Sequence, residues 1–368
     1  MKLYLIAGEA SGDLHGSNLM RELKNLDSGI EFRCWGGDLM KEQGGVLVKH
    51  YHELAFMGFL EVLLNLRTVL NNLALCKRDL LAYRPDAVIL IDYPGFNLKI
   101  AKFLHHNKIP VVYYISPQIW AWKQSRVNII RKVVDKMMVI LPFEKDFYAK
   151  HGVEVEFHGH PLLDALKRSQ FKTVIEDDGR PVVALLPGSR RQEILQVLPR
   201  MIEVVPCFPD VRFVIAGVDS HGSEFYQHIA GNPDISVVFG RTYDLLKQAK
   251  AALVTSGTAT LETALIGTPE VVCYRGGNIS YQIAKRIIKV KYISLVNLIM
   301  DRPVVKELIQ DELNTENLSH ELAQLLNNTP SRENLLRDYS ELRKKLGGDG
   351  ASRRAATSVM DFVKHLLS

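Results

Sequence analysis

The chain has 368 residues, 47% of them apolar and 24% charged, with a formal net charge of +5. That length suits two ordinary globular domains, and the mild basicity favours anionic ligands or an anionic surface over nucleic acid, for which no run of interleaved basic and aromatic residues is present. The cysteines Cys34, Cys76, Cys207 and Cys273 form no CxxC pair, so neither a zinc nor a redox motif is indicated and a reducing, cytoplasmic setting is expected.

Lys2 to Ala7 reads as a buried strand, Gly8 to Gly16 as a Gly/Ser/Asp-rich turn, and the stretch through Leu26 as a helix. This strand–loop–helix opening marks a doubly wound α/β domain. Strands are predicted at 87–91, 111–115 and 137–141, each ending in turn residues, where parallel sheets place their ligands. Residues 162–181 lose apolar periodicity and read as a connection. A second series follows, with strands at 182–186, 212–216, 252–254 and 271–274, then a helical pattern from Thr315. The expected division is 1–170 for a first Rossmann-like domain and 171–368 for a second that keeps the C-terminal helices, an arrangement that suits a nucleotide-sugar enzyme. No apolar run is long enough for a spanning helix. The apolar-rich stretch Met57 to Leu75 is expected to receive acyl chains or lie on a bilayer surface; the plainer alternative is a core helix.

In the second half, Gly188, Ser189 and Arg190 follow a strand and precede a helix. Backbone N–H groups there suit a diphosphate, with arginine adding charge. Ser256, Gly257, Thr258, Ala259 and Thr260 repeat the arrangement, and Glu262 in the following helical turn could reach a ribose diol. Each loop alone could be a tight turn with a helix cap; two in one domain favour a ligand. In the first half, Glu9, Ser11, Gly12, Asp13 and His15 put acid–base groups among small residues. Asp92 ends a strand ahead of Pro94, Gly95 and Asn97. Asp92 is the preferred general base; Asp13 and His15, at a helix start, are suited to orienting substrate.

Several of these segments resemble the lipid-A-disaccharide synthase family: Ala7-Gly-Glu-Ala-Ser-Gly-Asp-Leu-His-Gly16, Ser116-Pro-Gln-Ile-Trp-Ala-Trp122 with Arg126, Leu141-Pro-Phe-Glu144, Gly159-His-Pro161, Leu186-Pro-Gly-Ser-Arg190, Ser256-Gly-Thr-Ala-Thr-Leu-Glu262 and Tyr292-Ile-Ser-Leu-Val-Asn-Leu298. The resemblance implies a GT-B fold of two Rossmann-like domains facing a cleft. It implies condensation of UDP-2,3-diacylglucosamine with 2,3-diacylglucosamine 1-phosphate to a β-1,6-linked disaccharide 1-phosphate and UDP, at the cytoplasmic face of a Gram-negative inner membrane. Ser116, Trp120, Arg126, Tyr274 and Asn297 join the expected substrate contacts on this ground. No DxD motif is evident, so no metal and no cofactor are expected. A homodimer is compatible with the sequence. The stretch 217–231 matches nothing in the family pattern. The alternatives are another GT-B nucleotide-sugar enzyme, an epimerase or a soluble-acceptor glycosyltransferase, and a non-catalytic carrier of UDP-sugars.

Overall fold

The computed structural model describes residues 1–54, 66–121, 123–277 and 291–368. They form two compact units, residues 1–168 with 346–368, and residues 169–345.

The first unit carries seven strands: β1 (Lys2–Ala7), β2 (Glu31–Gly36), β3 (Val46–His50), β4 (Ala87–Ile91), β5 (Val111–Tyr114), β6 (Lys136–Val139) and β7 (Glu156–Phe157). All pair in parallel in the order β3-β2-β1-β4-β5-β6-β7. Order reverses between β1 and β4, so their connections leave on opposite faces and a crevice opens beyond their carboxyl ends. β1 and β4 are buried almost throughout. Their apolar runs face cores on both sides of the sheet, as parallel strands covered by helices must. One core holds Tyr4, Trp35, Leu90 and Tyr113; the other holds Leu5, Leu19, Met20 and Ile89.

The second unit has β8 (Val182–Leu186), β9 (Arg212–Gly217), β10 (Ser236–Phe239), β11 (Ala251–Thr255), β12 (Glu270–Tyr274) and β13 (Lys306–Ile309). They are parallel in the order β10-β9-β8-β11-β12-β13. Here the reversal falls between β8 and β11. Residues 169–181 are mostly irregular and exposed, but the backbone N–H groups of Val174 and Ile175 donate to Gln248 Oε1, at 2.8 and 3.2 Å, which tacks the connection to the second unit.

The C-terminal helices do not all stay with the second unit, contrary to the expected division. Helices Thr315–Leu326 and Pro330–Lys345 do. Helix Ala351–Leu367 packs instead on helix Ala10–Leu26, placing Ala355, Ala356, Val359, Met360 and Val363 against Leu19, Met20 and Leu23. Its small residues allow close approach. Asp164 fixes its start: one carboxylate oxygen accepts from Gly350 N at 2.6 Å and the other from Ser352 N at 2.7 Å. A carboxylate on the free N–H groups of a helix N-terminus gains from both hydrogen bonding and the dipole.

Of the Met57 to Leu75 stretch, residues 57–65 lie outside the described residues. From Leu66 the chain is helical to Tyr83, with Leu73, Cys76 and Leu80 buried in the core and Leu70 exposed. Within the stretch the helix thus turns Leu73 to the core and keeps Leu70 at the surface. No helix among the described residues is long and apolar enough to cross a membrane.

Asp164→Ala should cost about 1.5–3 kcal/mol, since it removes two hydrogen bonds to a charged acceptor at a buried position. Urea denaturation should register that loss, with hydrogen exchange speeding first in helix 351–367. Unchanged exchange there would show that apolar packing alone holds the helix.

Candidate active site

The exits of β1, β4 and β5 lie side by side, because β4 pairs with both neighbours. Each exit is conformationally unusual. Beyond β1, Gly8 meets the ring of Tyr93: a Cβ on Gly8 would sit 2.4 Å from Tyr93 Cγ, so only glycine fits. Beyond β4, Asp92 (φ 42°) and Tyr93 (φ 47°) are both left-handed, and beyond β5 Ile115 has φ 67°. Left-handed residues other than glycine are costly, most of all when β-branched, and cluster at functional sites.

The strained turn is held by buried polar groups. Asn97, wholly buried, donates through Nδ2 to the carbonyls of Asp92 (2.8 Å), Ile91 (3.1 Å) and Ile6 (3.4 Å). The Tyr113 hydroxyl donates to the Asp92 carbonyl at 2.6 Å. Asn97 was expected to contact substrate; it fastens the exits of β1 and β4 instead. The Asp92 carboxyl is half-buried. Burial, joined by the negative charge of Glu9 and opposed by the Tyr93 N–H, pushes its pKa up to about 7. It therefore has the basicity of a general base near neutral pH.

The other candidates of the N-terminal loop separate. Asp13 is buried, and its carboxylate accepts from Gly37 N (2.7 Å), Met40 N (3.1 Å) and Leu39 N (3.2 Å). It caps the short helix Asp38–Glu42, so its lone pairs are spent on the scaffold. His15 is buried beside His160, with ring centroids 6.3 Å apart, and burial pushes its pKa down to about 4. Glu9, the helix N-cap, and Ser11 are exposed, while Gly12 lies against Ala7 with a Cβ position 3.0 Å from that methyl. Ser116 is turned inward: its hydroxyl lies 2.8 Å from the Tyr148 hydroxyl. Glu144 accepts from Leu141 N (3.0 Å) and Ile140 N (3.2 Å), and burial raises its pKa to about 7 despite these bonds. Trp120 packs edge-on against Phe143. Ser116 and Trp120 thus belong to a packed polar cluster. Arg126 is half-buried at the end of a short turn, with Tyr113 feeling its charge.

In the second unit the two predicted loops fall at the reversal, after β8 and β11. Gly188 has φ +105°, and a Cβ there would collide with the Glu193 carboxylate at 2.2 Å. Glu193 folds back onto the N–H groups of Ser189 and Arg190. It is the third residue of helix Arg191–Ile202, the capping-box position. Ser189 and Arg190 are exposed. His221 Nε2 lies 2.9 Å from the Ser189 carbonyl, so the unmatched stretch 217–231 supports this loop. After β11, helix Thr258–Ile266 begins with Gly257 as N-cap. Gly257 and Thr258 are exposed and Ala259 half-buried, but the Thr260 hydroxyl turns in to the Gly257 carbonyl at 2.9 Å and the Ser256 hydroxyl to that of Ile293 at 2.9 Å. Glu262, half-buried, accepts from the Tyr243 hydroxyl, and burial raises its pKa. Tyr274 is half-buried at the end of β12. Asn297 corrects another expectation. It is buried, with Nδ2 donating to Val305 O and Glu307 Oε1, both at 2.9 Å, and Oδ1 accepting from Val304 N (2.7 Å) and Val305 N (2.9 Å). All its hydrogen-bonding capacity serves the loop before β13. Tyr93, Tyr113, Glu193, His221 and Tyr243 were missed by sequence reasoning. Only Glu193, three residues past a helix cap, carried a readable signal.

Two doubly wound parallel sheets, each with its polar loops at the strand-order reversal, place the chain in the GT-B fold class of paired Rossmann-like domains. Solved structures agree in fold: a UDP-GlcNAc 2-epimerase from Neisseria meningitidis bound to UDP-GlcNAc aligns with TM-score 0.65 at 14% identity over 98% of this chain and 100% of that one. The glycotransferase of kitacinnamycin aligns with TM-score 0.69 at 14% identity over 98% of each. Within this class the match is specific. The family model of lipid-A-disaccharide synthetase covers residues 3–362. Lipid-A-disaccharide synthases of Trichlorobacter lovleyi and Syntrophus aciditrophicus are 39% and 40% identical over 99% and 98% of this chain, and over 98% and 97% of their own lengths. That of Coxiella burnetii (strain Dugway 5J108-111) is 36% identical over 98% of both. The chain belongs to the lipid-A-disaccharide synthetase family and is a glycosyltransferase of lipid A synthesis, not an epimerase.

Asn97→Ala should destabilise the first unit by about 2–4 kcal/mol, the sum of several buried hydrogen bonds and the carbonyls left unpaired. Asn297→Ala should do the same in the second. Chemical denaturation checks both. A large fall in substrate affinity with unchanged stability would return either residue to the list of ligand contacts.

Proposed function

We propose that the chain joins 2,3-diacylglucosamine, carried as its UDP derivative, to 2,3-diacylglucosamine 1-phosphate. The reaction inverts the anomeric carbon and releases UDP and the β-1,6-linked disaccharide 1-phosphate. The observation that carries the assignment of roles is the Asp92 carboxyl, held at the strained exit of β4 with its pKa raised to about 7.

In this reading the first unit holds the acceptor near Asp92, Glu9 and Ser11. The acceptor hydroxyl attacks the anomeric carbon in line as the bond to the diphosphate oxygen breaks. Asp92 takes the hydroxyl proton, and the leaving UDP keeps the bonding electrons. The second unit holds the donor. Backbone N–H groups of the Gly257–Ala259 loop, with the Arg190 guanidinium, meet the charge that grows on the diphosphate. Glu262 keeps lone pairs beyond the one that Tyr243 occupies and can accept from the ribose diol. The acylated substrates and the net charge of +5 favour work at an anionic membrane surface, as a peripheral protein on the cytoplasmic face of the inner membrane.

A base must be ionised to act. With Asp92 raised to about 7, kcat/KM should climb with pH through the neutral range and level off above it. Asp92→Asn should lower kcat by about 10²–10⁴-fold and abolish that limb, leaving UDP affinity intact. Retained activity with an unchanged pH profile would eliminate Asp92 as the base.

Arg190→Ala should weaken UDP binding at least about tenfold, the equivalent of one charge-assisted contact. Calorimetry giving wild-type UDP affinity would remove Arg190 from the diphosphate site.

A further inference from the structure

β9 pairs in parallel with β8, so the chain leaving β9 runs beside the Gly188–Arg190 loop that leaves β8. It makes a tight turn, Asp219–His221, ahead of helix Ser223–Ala230. The His221 N–H donates to the Val218 carbonyl at 3.1 Å, and Gly222 redirects the chain at φ 73°. The hydroxyl of buried Tyr226 accepts from Val218 N at 2.9 Å. The half-buried His221 ring has its centroid 5.4 Å from that of Phe225 and 6.4 Å from that of Tyr226. Held in this way, it directs Nε2 to the Ser189 carbonyl at 2.9 Å. A carbonyl only accepts, so Nε2 carries the hydrogen. Two residues beyond Ser189, the Arg191 guanidinium lies 4.4 Å from the Phe225 ring centroid, within cation–π reach. Arg190 therefore stands between two residues tied to the same neighbouring segment, and its own N–H is taken by Glu193.

We propose that His221 is a positioning residue of the donor site: by holding the Ser189 carbonyl it fixes the backbone from which Arg190 meets the diphosphate. The inference rests on the donor reading above and deepens it. The N–H groups of Ser189 and Arg190 are taken by Glu193 and the Ser189 carbonyl by His221, so the contribution of these two residues to a bound anion comes through the Arg190 side chain. A guanidinium on a mobile backbone loses freedom when it binds an anion, and a backbone fixed beforehand removes part of that loss. His221 acts through Arg190 rather than on the nucleotide, because its Nε2 hydrogen is committed to Ser189. Phe225 assists from the other side of Arg190, through Arg191.

The test is the UDP affinity of the full chain, measured by calorimetry. His221→Phe keeps a ring beside Phe225 and removes the donor; it should weaken UDP binding roughly three- to tenfold. His221→Gln, whose amide can donate to the same carbonyl, should restore most of the affinity. In an Arg190→Ala background His221→Phe should cause no further loss, because the two residues act through one contact. Phe225→Leu, which releases Arg191, should also weaken UDP binding and serves as the test if His221→Phe fails to fold. Wild-type affinity in Arg190→Ala would overturn the donor reading, and this proposal with it. If Arg190→Ala loses affinity, the donor reading stands, and three results would overturn this proposal alone: wild-type affinity in His221→Phe or in the Phe225→Leu that replaces it, no rescue by glutamine, or full additivity in the double variant.

Discussion

A parallel sheet that reverses its strand order once must send two adjacent chains away on opposite faces, and the gap between them is the one place where a ligand reaches backbone on both sides. This chain does so twice, between β1 and β4 and between β8 and β11. The residues that carry chemistry follow from that geometry. In the second unit both reversal strands run into helices, so helix N-termini lie beyond the strand ends; after β8 Glu193 takes the N–H groups of Ser189 and Arg190, and after β11 Gly257 caps the helix. In the first unit a helix follows β1 in the same way, but β4 passes first through Asp92 and Tyr93.

That passage has an energetic cost. Two consecutive left-handed residues without glycine cost on the order of 1–3 kcal/mol each. Three hydrogen bonds from Asn97 and one from Tyr113 meet the strained segment or the strand ends beside it. At about 0.5–1.5 kcal/mol apiece they offset most of the strain. The Tyr93 ring then covers Gly8, so the exits of β1 and β4 are locked to one another. The Asp92 carboxyl is engaged by the Tyr93 N–H and otherwise placed by backbone and packing.

The strands that were legible in the sequence are the ones buried on both faces. β1, β4 and β8 match the predicted runs residue for residue, because their apolar residues are continuous. β2, β3, β7, β10 and β13 were not predicted: β2 is an interior strand whose apolar run is interrupted by Arg33, and the other four are sheet edges, mostly half-exposed. The last helix was assigned to the wrong unit for a related reason. Its apolar stripe is plain in the sequence, but a stripe does not name its partner, and the Asp164 carboxylate that selects it lies 186 residues away from Gly350. The candidate residues fared similarly. Glycines and charged residues of the loops were placed correctly at the strand ends. Asn97, Ser116 and Asn297 look like ligand contacts in a motif, and only the fold reveals that their polar atoms are turned inward.

The four acid–base candidates of the first unit show how one short region can hold chemically distinct groups. Asp13 is engaged by three backbone N–H groups and caps helix Asp38–Glu42. His15 loses basicity to burial, and neighbouring His160, also buried, has its pKa pushed down to about 3; two imidazoles in apolar surroundings stay neutral and add shape rather than charge. Glu9 is exposed at a helix start, where a carboxylate is favoured by the dipole. The Glu9 carboxylate is the second contribution, after burial, to the raised pKa of Asp92. The motif residue Glu9 and the strand-end residue Asp92, 83 positions apart in sequence, then act as one electrostatic unit. Glu9 stays at the surface, and burial together with its carboxylate raises the pKa of the half-buried Asp92 to about 7.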